Sequence, residues 1–310
     1  MVKFSINSNM WNVWCLMILF TLLMVLLMID SPKEFRIKAH PNLLSRQLKS
    51  LLSDQFLQEN QTLKIDKDQH KDIPLIYVIT PTYYRETQMA EITRLSNTLR
   101  QVKRLHWVVV EDWKFTNHYI HEFLKDSNMS FTYMAQPKLV ATSNISKGID
   151  QRNAALHWIT RNHNWAEPAV VYFADDDNSY DLRIFEEMRY TKKLSMWPVG
   201  LSGKMKVEKP IVKNGKVTKF RAWWAHGRVF PIDMAGFAIN VNVLWDYHPM
   251  RFDTHPKYCC MMETSFLELC CTIDEIEPLA DNCTKVYVWH TRTSKPNLTN
   301  HVSQYGDIYV

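Results

Sequence analysis

Ala169-Val-Val-Tyr-Phe-Ala-Asp175-Asp176-Asp177-Asn178 decides how this chain is read. An apolar run, rich in β-branched and aromatic residues, ends abruptly in three consecutive carboxylates. The run has the composition of a buried strand in an α/β sheet. Ligands of open α/β sheets sit beyond the carboxyl ends of the strands. Three adjacent aspartates repel one another there and are costly to hold without a cation. Oxygen ligands of high negative charge suit Mg²⁺, Mn²⁺ or Ca²⁺ rather than zinc. An EF-hand calcium loop is a near miss, because Glu186 stands at the twelfth place but Tyr180 fills the sixth, where that loop needs glycine.

Upstream, Pro74-Leu-Ile-Tyr-Val-Ile-Thr80 reads as a first strand, stopped by Pro81-Thr82-Tyr83-Tyr84-Arg85. Helical spacing follows over residues 86–101, in Met89, Ile92, Leu95 and Leu99. His106-Trp-Val-Val-Val110 is a second strand ending at Glu111-Asp112, Phe131-Thr-Tyr-Met134 a third, and Gln151-Arg152-Asn153 opens another helix. Strand-helix alternation predicts a parallel or mixed sheet flanked by helices. Tyr83 and Asp112 then stand at successive carboxyl ends, which suits a nucleotide pocket: an aromatic face stacks on a base, and a carboxylate accepts from a ring N–H.

The amino-terminal end is of a different kind. Residues 10–29 are almost wholly apolar, and twenty residues at about 1.5 Å rise span a bilayer core. No small-residue cleavage site follows, so the segment reads as an uncleaved signal-anchor behind a cytoplasmic tail of residues 1–9. The polar residues 30–73 read as a stem, and residues 74–310 as the globular domain. Acceptor sequons at Asn60, Asn128, Asn144, Asn282 and Asn297 favour a lumenal placement. So do five cysteines beyond the span: Cys259, Cys260, Cys270, Cys271 and Cys283. Their vicinal pairs do not match zinc spacing, which leaves disulfides or buried thiols. The net charge of +5 is scattered, with no Lys/Arg block of the kind that tracks a nucleic acid.

Five blocks resemble the β-1,3-glucuronosyltransferase family, in family order: Val171-Tyr-Phe-Ala-Asp-Asp-Asp-Asn-Ser-Tyr180, Phe185-Glu-Glu-Met-Arg189, Trp197-Pro-Val-Gly200, Ile232-Asp-Met-Ala-Gly-Phe237 and Val288-Trp-His-Thr-Arg-Thr293. The resemblance covers residues 74–298. It implies a single-pass type II Golgi membrane protein that forms a homodimer, with a GT-A, Rossmann-like domain built on a mixed central sheet. It also implies Mn²⁺-dependent transfer of glucuronic acid from UDP-glucuronate to the 3-hydroxyl of a terminal galactose. Residues 74–180 would form the UDP-sugar half and residues 181–310 the acceptor half.

Position by position, the resemblance implies that Pro81, Tyr83 and Asp112 hold the uridine, and that Asp175 and Asp176 contact sugar or ribose. Asp177 would be the direct metal ligand. Arg152, His290 and Arg292 would face the donor's charged groups. Glu208, Arg228 and Asp233 would bind the acceptor, and Glu263 would be the catalytic base. Its neighbours Met261 and Met262 supply an apolar setting that would raise its pKa toward the working range. Where the family usually has an arginine five residues before Arg152, this chain has Lys147, which keeps the charge and loses the bidentate fork. The tail after Lys295-Pro296 also departs from the family, with Asn300 and Gln304 as candidates for its acceptor contact.

Trp197-Pro-Val-Gly-Leu201 leans the acceptor toward the proteoglycan linkage trisaccharide Gal-Gal-Xyl, with glycoprotein N-acetyllactosamine termini as the alternative. A lumenal metal-dependent nucleoside-diphosphate hydrolase would use the same aspartates, but would leave Glu208, Arg228 and Asp233 without a purpose. A non-catalytic sugar-binding protein would bind without turnover.

Overall fold

A computed structural model describes residues 73–138, 148–254 and 261–297. The signal-anchor, the stem, Lys147, Asn60, Asn144, Cys259, Cys260, Asn300 and Gln304 lie outside the described residues. No helix among the described residues is long and apolar enough to cross a membrane.

The strands and helices alternate as the apolar runs predict: β1 (Leu75–Thr82), α1 (Gln88–Leu99), β2 (Leu105–Glu111), α2 (His118–Asp126), β3 (Ser130–Ala135), α3 (Ile149–Asn162) and β4 (Ala169–Phe173). Thereafter the elements shorten: β5 (Ser179–Tyr180), α4 (Leu182–Met188), β6 (Leu194–Met196), β7 (Val199–Gly200), β8 (Val207–Lys213), β9 (Lys216–Arg221), β10 (Phe237–Asn240), α5 (Asn242–Asp246), α6 (Met262–Leu267), β11 (Ile276–Pro278) and β12 (Val288–Trp289). A seven-stranded sheet runs β11-β6-β10-β4-β1-β2-β3. Its β4-β1-β2-β3 part is parallel, while β10 lies antiparallel to both β4 and β6, so the sheet is mixed. A five-stranded sheet, β5-β12-β7-β8-β9, stands beside it.

Strand side chains alternate between faces, and here each face has its own core. Leu75, Tyr77 and Ile79 join Val108, Val110, Leu156 and Ile159 on one side. Ile76 and Val78 join Trp107, Val109, Ile92 and Leu95 on the other. Burial on both faces is why these strands read as continuous apolar runs.

β1 runs two residues beyond the predicted stop. Odd residues of β1 bond toward β4, as Leu75 N→Pro168 O and Ala174 N→Ile79 O show. β4 ends at Phe173, level with Ile79, so at Pro81 no ladder bond is forfeited by the missing N–H. Pairing with β2 therefore continues to Thr82↔Glu111. Cys270, Cys271 and Cys283 are buried thiols.

Candidate active site

Thr82 and Glu111 are register partners in parallel strands, so Tyr83 and Asp112 emerge side by side at one sheet edge. β4 pairs with the other side of β1 and delivers Asp175, Asp176 and Asp177 to that same edge. Tyr83 is half exposed, with the Arg85 guanidinium 4.5 Å from its ring centroid. Asp112 accepts from the Lys138 N–H at 2.8 Å. Pro81 packs near Gly148, the N-cap of α3, whose φ is +73°. A Cβ at Gly148 would lie 2.7 Å from an Arg152 nitrogen, so this position needs glycine for both conformation and space.

The three aspartates have three different surroundings. Asp175 pairs with Arg152 at 2.5 Å. Asp176 is buried, accepting from Thr82 and Arg85, each at 2.7 Å. Burial nevertheless lifts its pKa to about 6, with Arg85 opposing the rise. Asp177 is half buried, and its carboxylate has no hydrogen-bond or ion-pair partner among the described residues. Burial raises its pKa, and the charges of Asp175 and Glu91 add to the rise. Beside it, the amide of buried Asn178 makes no hydrogen bond of good geometry among the described residues. Among the described residues no three His, Cys, Asp or Glu side chains converge. The donors present fit a hard divalent cation that takes one carboxylate from the protein and the rest of its ligands from a phosphate-bearing substrate and water.

The end of β12 is stitched to this loop. Thr291 Oγ donates to the Asp177 carbonyl, and Ser179 and Thr291 hydroxyls lie 3.3 Å apart. The preceding residue, His290, contacts Asp233 at 2.9 Å through Nδ1. Burial works against ionisation of Asp233, but the histidine bond and charge win and hold its carboxyl below the usual range. The same bond raises the pKa of His290 despite burial. Arg292, two residues on, is exposed.

Asp233 leads to the remaining acids. Ser202 Oγ lies 2.8 Å from Asp233 and 3.0 Å from Glu208, and its single proton serves one of them at a time. Glu208 is buried and also accepts from the Trp223 N–H at 3.1 Å. Gly203 makes room for it, since a Cβ there would lie 2.0 Å from Glu208 Oε1. Glu263, in the first turn of α6, is buried and accepts from Arg228 Nη2 at 3.1 Å. Arg228 also donates to the Ile232 carbonyl at 3.1 Å, and its Nε has no partner. Burial raises Glu263 to about 7; Arg228 opposes this, and Asp233 adds to it. Arg152 also acts on Glu263 through its charge.

Arg228 and Asp233 thus do not pair with each other on a surface loop; one is committed to Glu263, the other to His290. Arg85 and Ser202, which sequence reasoning assigned no role, hold the two halves of the site in place. A serine in a turn and an arginine in a strand-end loop carry no signal of that kind. Trp223 is 62% exposed and is therefore not a core residue.

Residues 95–294 match glycosyltransferase family 43. The rat protein galactosylgalactosylxylosylprotein 3-beta-glucuronosyltransferase 2 is 45% identical over 239 residues, covering 76% of this chain and 74% of that one. Human galactosylgalactosylxylosylprotein 3-beta-glucuronosyltransferase 1 is 42% identical over 239 residues, covering 74% and 72%. Residues 1–349 of S. aureus TarS superpose with a TM-score of 0.45 at 15% identity, over 70% of this chain and 60% of that one.

Proposed function

Because this chain belongs to glycosyltransferase family 43, we propose that it moves glucuronic acid from UDP-glucuronate to the 3-hydroxyl of the terminal galactose of a galactosylgalactosylxylosyl-protein. The observation that carries this is Glu263, a buried carboxylate whose pKa of about 7 suits a base near neutrality. The reaction is a single displacement that inverts the anomeric carbon. The galactose O3 attacks that carbon, Glu263 takes the hydroxyl proton, and the bond to the UDP oxygen breaks, leaving UDP with the electron pair. General-base help of this kind contributes typically about 10²–10⁴-fold.

The other groups then have parts that follow from where they stand. Tyr83 offers its ring to the uracil, and Pro81 and Asp112 border the nucleoside. Asp175 and Asp176, each braced by an arginine, accept from donor hydroxyls. The Asp177 carboxylate has no partner among the described residues and would hold Mn²⁺, which when bound would neutralise the leaving diphosphate. His290 and Arg292 bring positive charge to the diphosphate and the glucuronate carboxylate, and Lys147 serves the same region in place of the family's arginine. Glu208 and Asp233 orient the acceptor sugars, and Arg228 keeps Glu263 ionisable.

The same reading makes residues 10–29 a signal-anchor in the Golgi membrane and residues 74–310 a lumenal GT-A domain that pairs as a homodimer. Exposed Asn128, Asn282 and Asn297 are compatible with lumenal glycosylation. The decisive assay incubates the protein with UDP-glucuronate, Mn²⁺ and either Gal-Gal-Xyl or N-acetyllactosamine. Glucuronosyl-Gal-Gal-Xyl is the expected product. UDP release that is independent of acceptor would instead identify a hydrolase.

A further inference from the structure

The lysines that look scattered along the sequence are gathered by one hairpin. β8 and β9 are joined by Asn214-Gly215, both at positive φ, a two-residue turn that fixes the register. The register pairs Pro210 with Phe220 and Val212 with Val217. Val217 is buried, and Val212 and Phe220 pack against the core. The other face therefore carries Lys209↔Arg221, Ile211↔Lys219 and Lys213↔Lys216. Five of these six side chains are cationic, and Thr218 sits at the bulge between them.

Like charges directly opposite one another on a ribbon are destabilising, and no acidic side chain among the described residues pairs with them here. Lys213, Lys216, Lys219 and Arg221 are exposed, with no side-chain partner among the described residues. Lys209 alone bends back, to the Cys283 carbonyl at 3.1 Å. Neighbouring Glu275 is committed to Lys193 at 2.7 Å. Residues 204–221 hold seven Lys and Arg against one acid, Glu208, in a chain of net charge +5. That acid is buried against Ser202 and the Trp223 N–H. Protecting an edge strand from pairing takes a charge or two, not five on one face.

The ribbon also continues the acceptor side of the site. Glu208 lies on β8, and Trp223 follows β9 by two residues. Lys204 Nζ sits 5.5 Å from the centroid of the Trp223 ring. Glu208 turns to the core side of β8, as Pro210 and Val212 do, but exposed Trp223 follows Arg221 at the end of β9, so a chain leaving a sugar stacked on Trp223 runs onto the cationic face.

We propose that the exposed face of the β8–β9 ribbon binds an acidic polypeptide segment flanking the glycosylated residue of the acceptor protein. This rests on the acceptor reading given above. An extended chain presents alternate side chains about 6.6 Å apart, the same repeat as the ribbon's own. The outer face has no large exposed apolar side chain to insert into a bilayer, so a polypeptide fits it better than a membrane surface.

The test compares three acceptors carrying Gal-Gal-Xyl: the free trisaccharide, a glycopeptide with Glu/Asp flanks and one with Ser/Gly flanks. With the unmodified enzyme, KM for the acidic glycopeptide is expected to be about fivefold below that for the neutral one at low salt, with the gap closing in high salt. The triple variant Lys213→Ala/Lys216→Ala/Lys219→Ala should lose the preference and keep its KM for the free trisaccharide. The triple Lys→Arg variant should retain it. Equal KM values for the two glycopeptides, or a preference that survives the triple alanine variant, overturn the proposal. So does loss of phosphatidylserine-vesicle binding in that variant without any change in glycopeptide preference. If the free trisaccharide is not elongated, the acceptor reading fails instead. Fluorescence anisotropy of the labelled acidic peptide without sugar then decides the ribbon independently, binding supporting it and no binding refuting it.

Discussion

The two ends of the site hold their carboxylates in opposite ways. At the β4 end, Asp175 and Asp176 are each tied to an arginine, and the Asp177 carboxylate has no partner among the described residues. At the α6 end, no acid is left alone: Glu208 has a hydroxyl and a backbone N–H, Asp233 a histidine, Glu263 an arginine. The first arrangement leaves negative charge that a cation can satisfy. The second keeps its acids buried and compensated, and burial lifts Glu263 toward neutrality. Identical functional groups are thus left open to a cation or lifted toward neutrality by what surrounds them.

The contrast is most sharply tested by paired substitutions. Glu263→Gln is expected to lower kcat by about 10²–10⁴-fold while UDP still binds, as calorimetry would register. Asp177→Asn should also suppress turnover, and should in addition abolish the effect of Mn²⁺ on UDP affinity. If Glu263→Gln weakened UDP as much as Asp177→Asn, the two ends would not be separate in function.

The pH profile is the next lever. Glu263 must be ionised to accept a proton, and burial raises its pKa to about 7. The rate should therefore climb with pH and level off above that value. Arg228 favours the ionised form, so Arg228→Met should move the rising limb to higher pH. The linkage sign runs the other way for stability. A folded pKa above the ordinary carboxylate value gives stability that is full below about pH 4.5 and lost as pH rises through about 7. Glu263→Gln should accordingly flatten the fall in Tm across that window, measured by scanning calorimetry.

Smaller effects separate the acceptor acids from the donor edge. Ser202→Ala removes the hydroxyl shared by Glu208 and Asp233, and a several-fold rise in acceptor KM with unchanged UDP affinity is expected. Trp223→Ala should raise acceptor KM about threefold and leave Tm where it was, because the ring is exposed. A lower Tm would return that tryptophan to a packing role.

The same division explains what the sequence disclosed. β1, β2 and β4 are buried on both faces, so their apolar runs stand out, and the acidic break after Ala174 marks the donor edge without further help. The apolar setting of Glu263 could be read from Met261 and Met262, although Met262 is only one of its contributors, since Phe266 and Phe230 are also buried near α6. The pairing of Arg228 with Glu263, 35 positions apart, could not be read. It joins a loop to a short helix, and neither has a periodicity that reports the contact. The cationic ribbon escaped for a related reason: its basic residues stand two to four positions apart, where no run is visible until the turn folds them together.

Thr291 clasps the carbonyl of Asp177 across 114 positions of chain. The loop that carries Asp177 therefore acquires this support only once the chain through β12 has been made, since long-range closure comes late in assembly. A fragment ending ahead of β12 would keep the parallel strands yet lack the hydrogen bond that braces the Asp177 carbonyl.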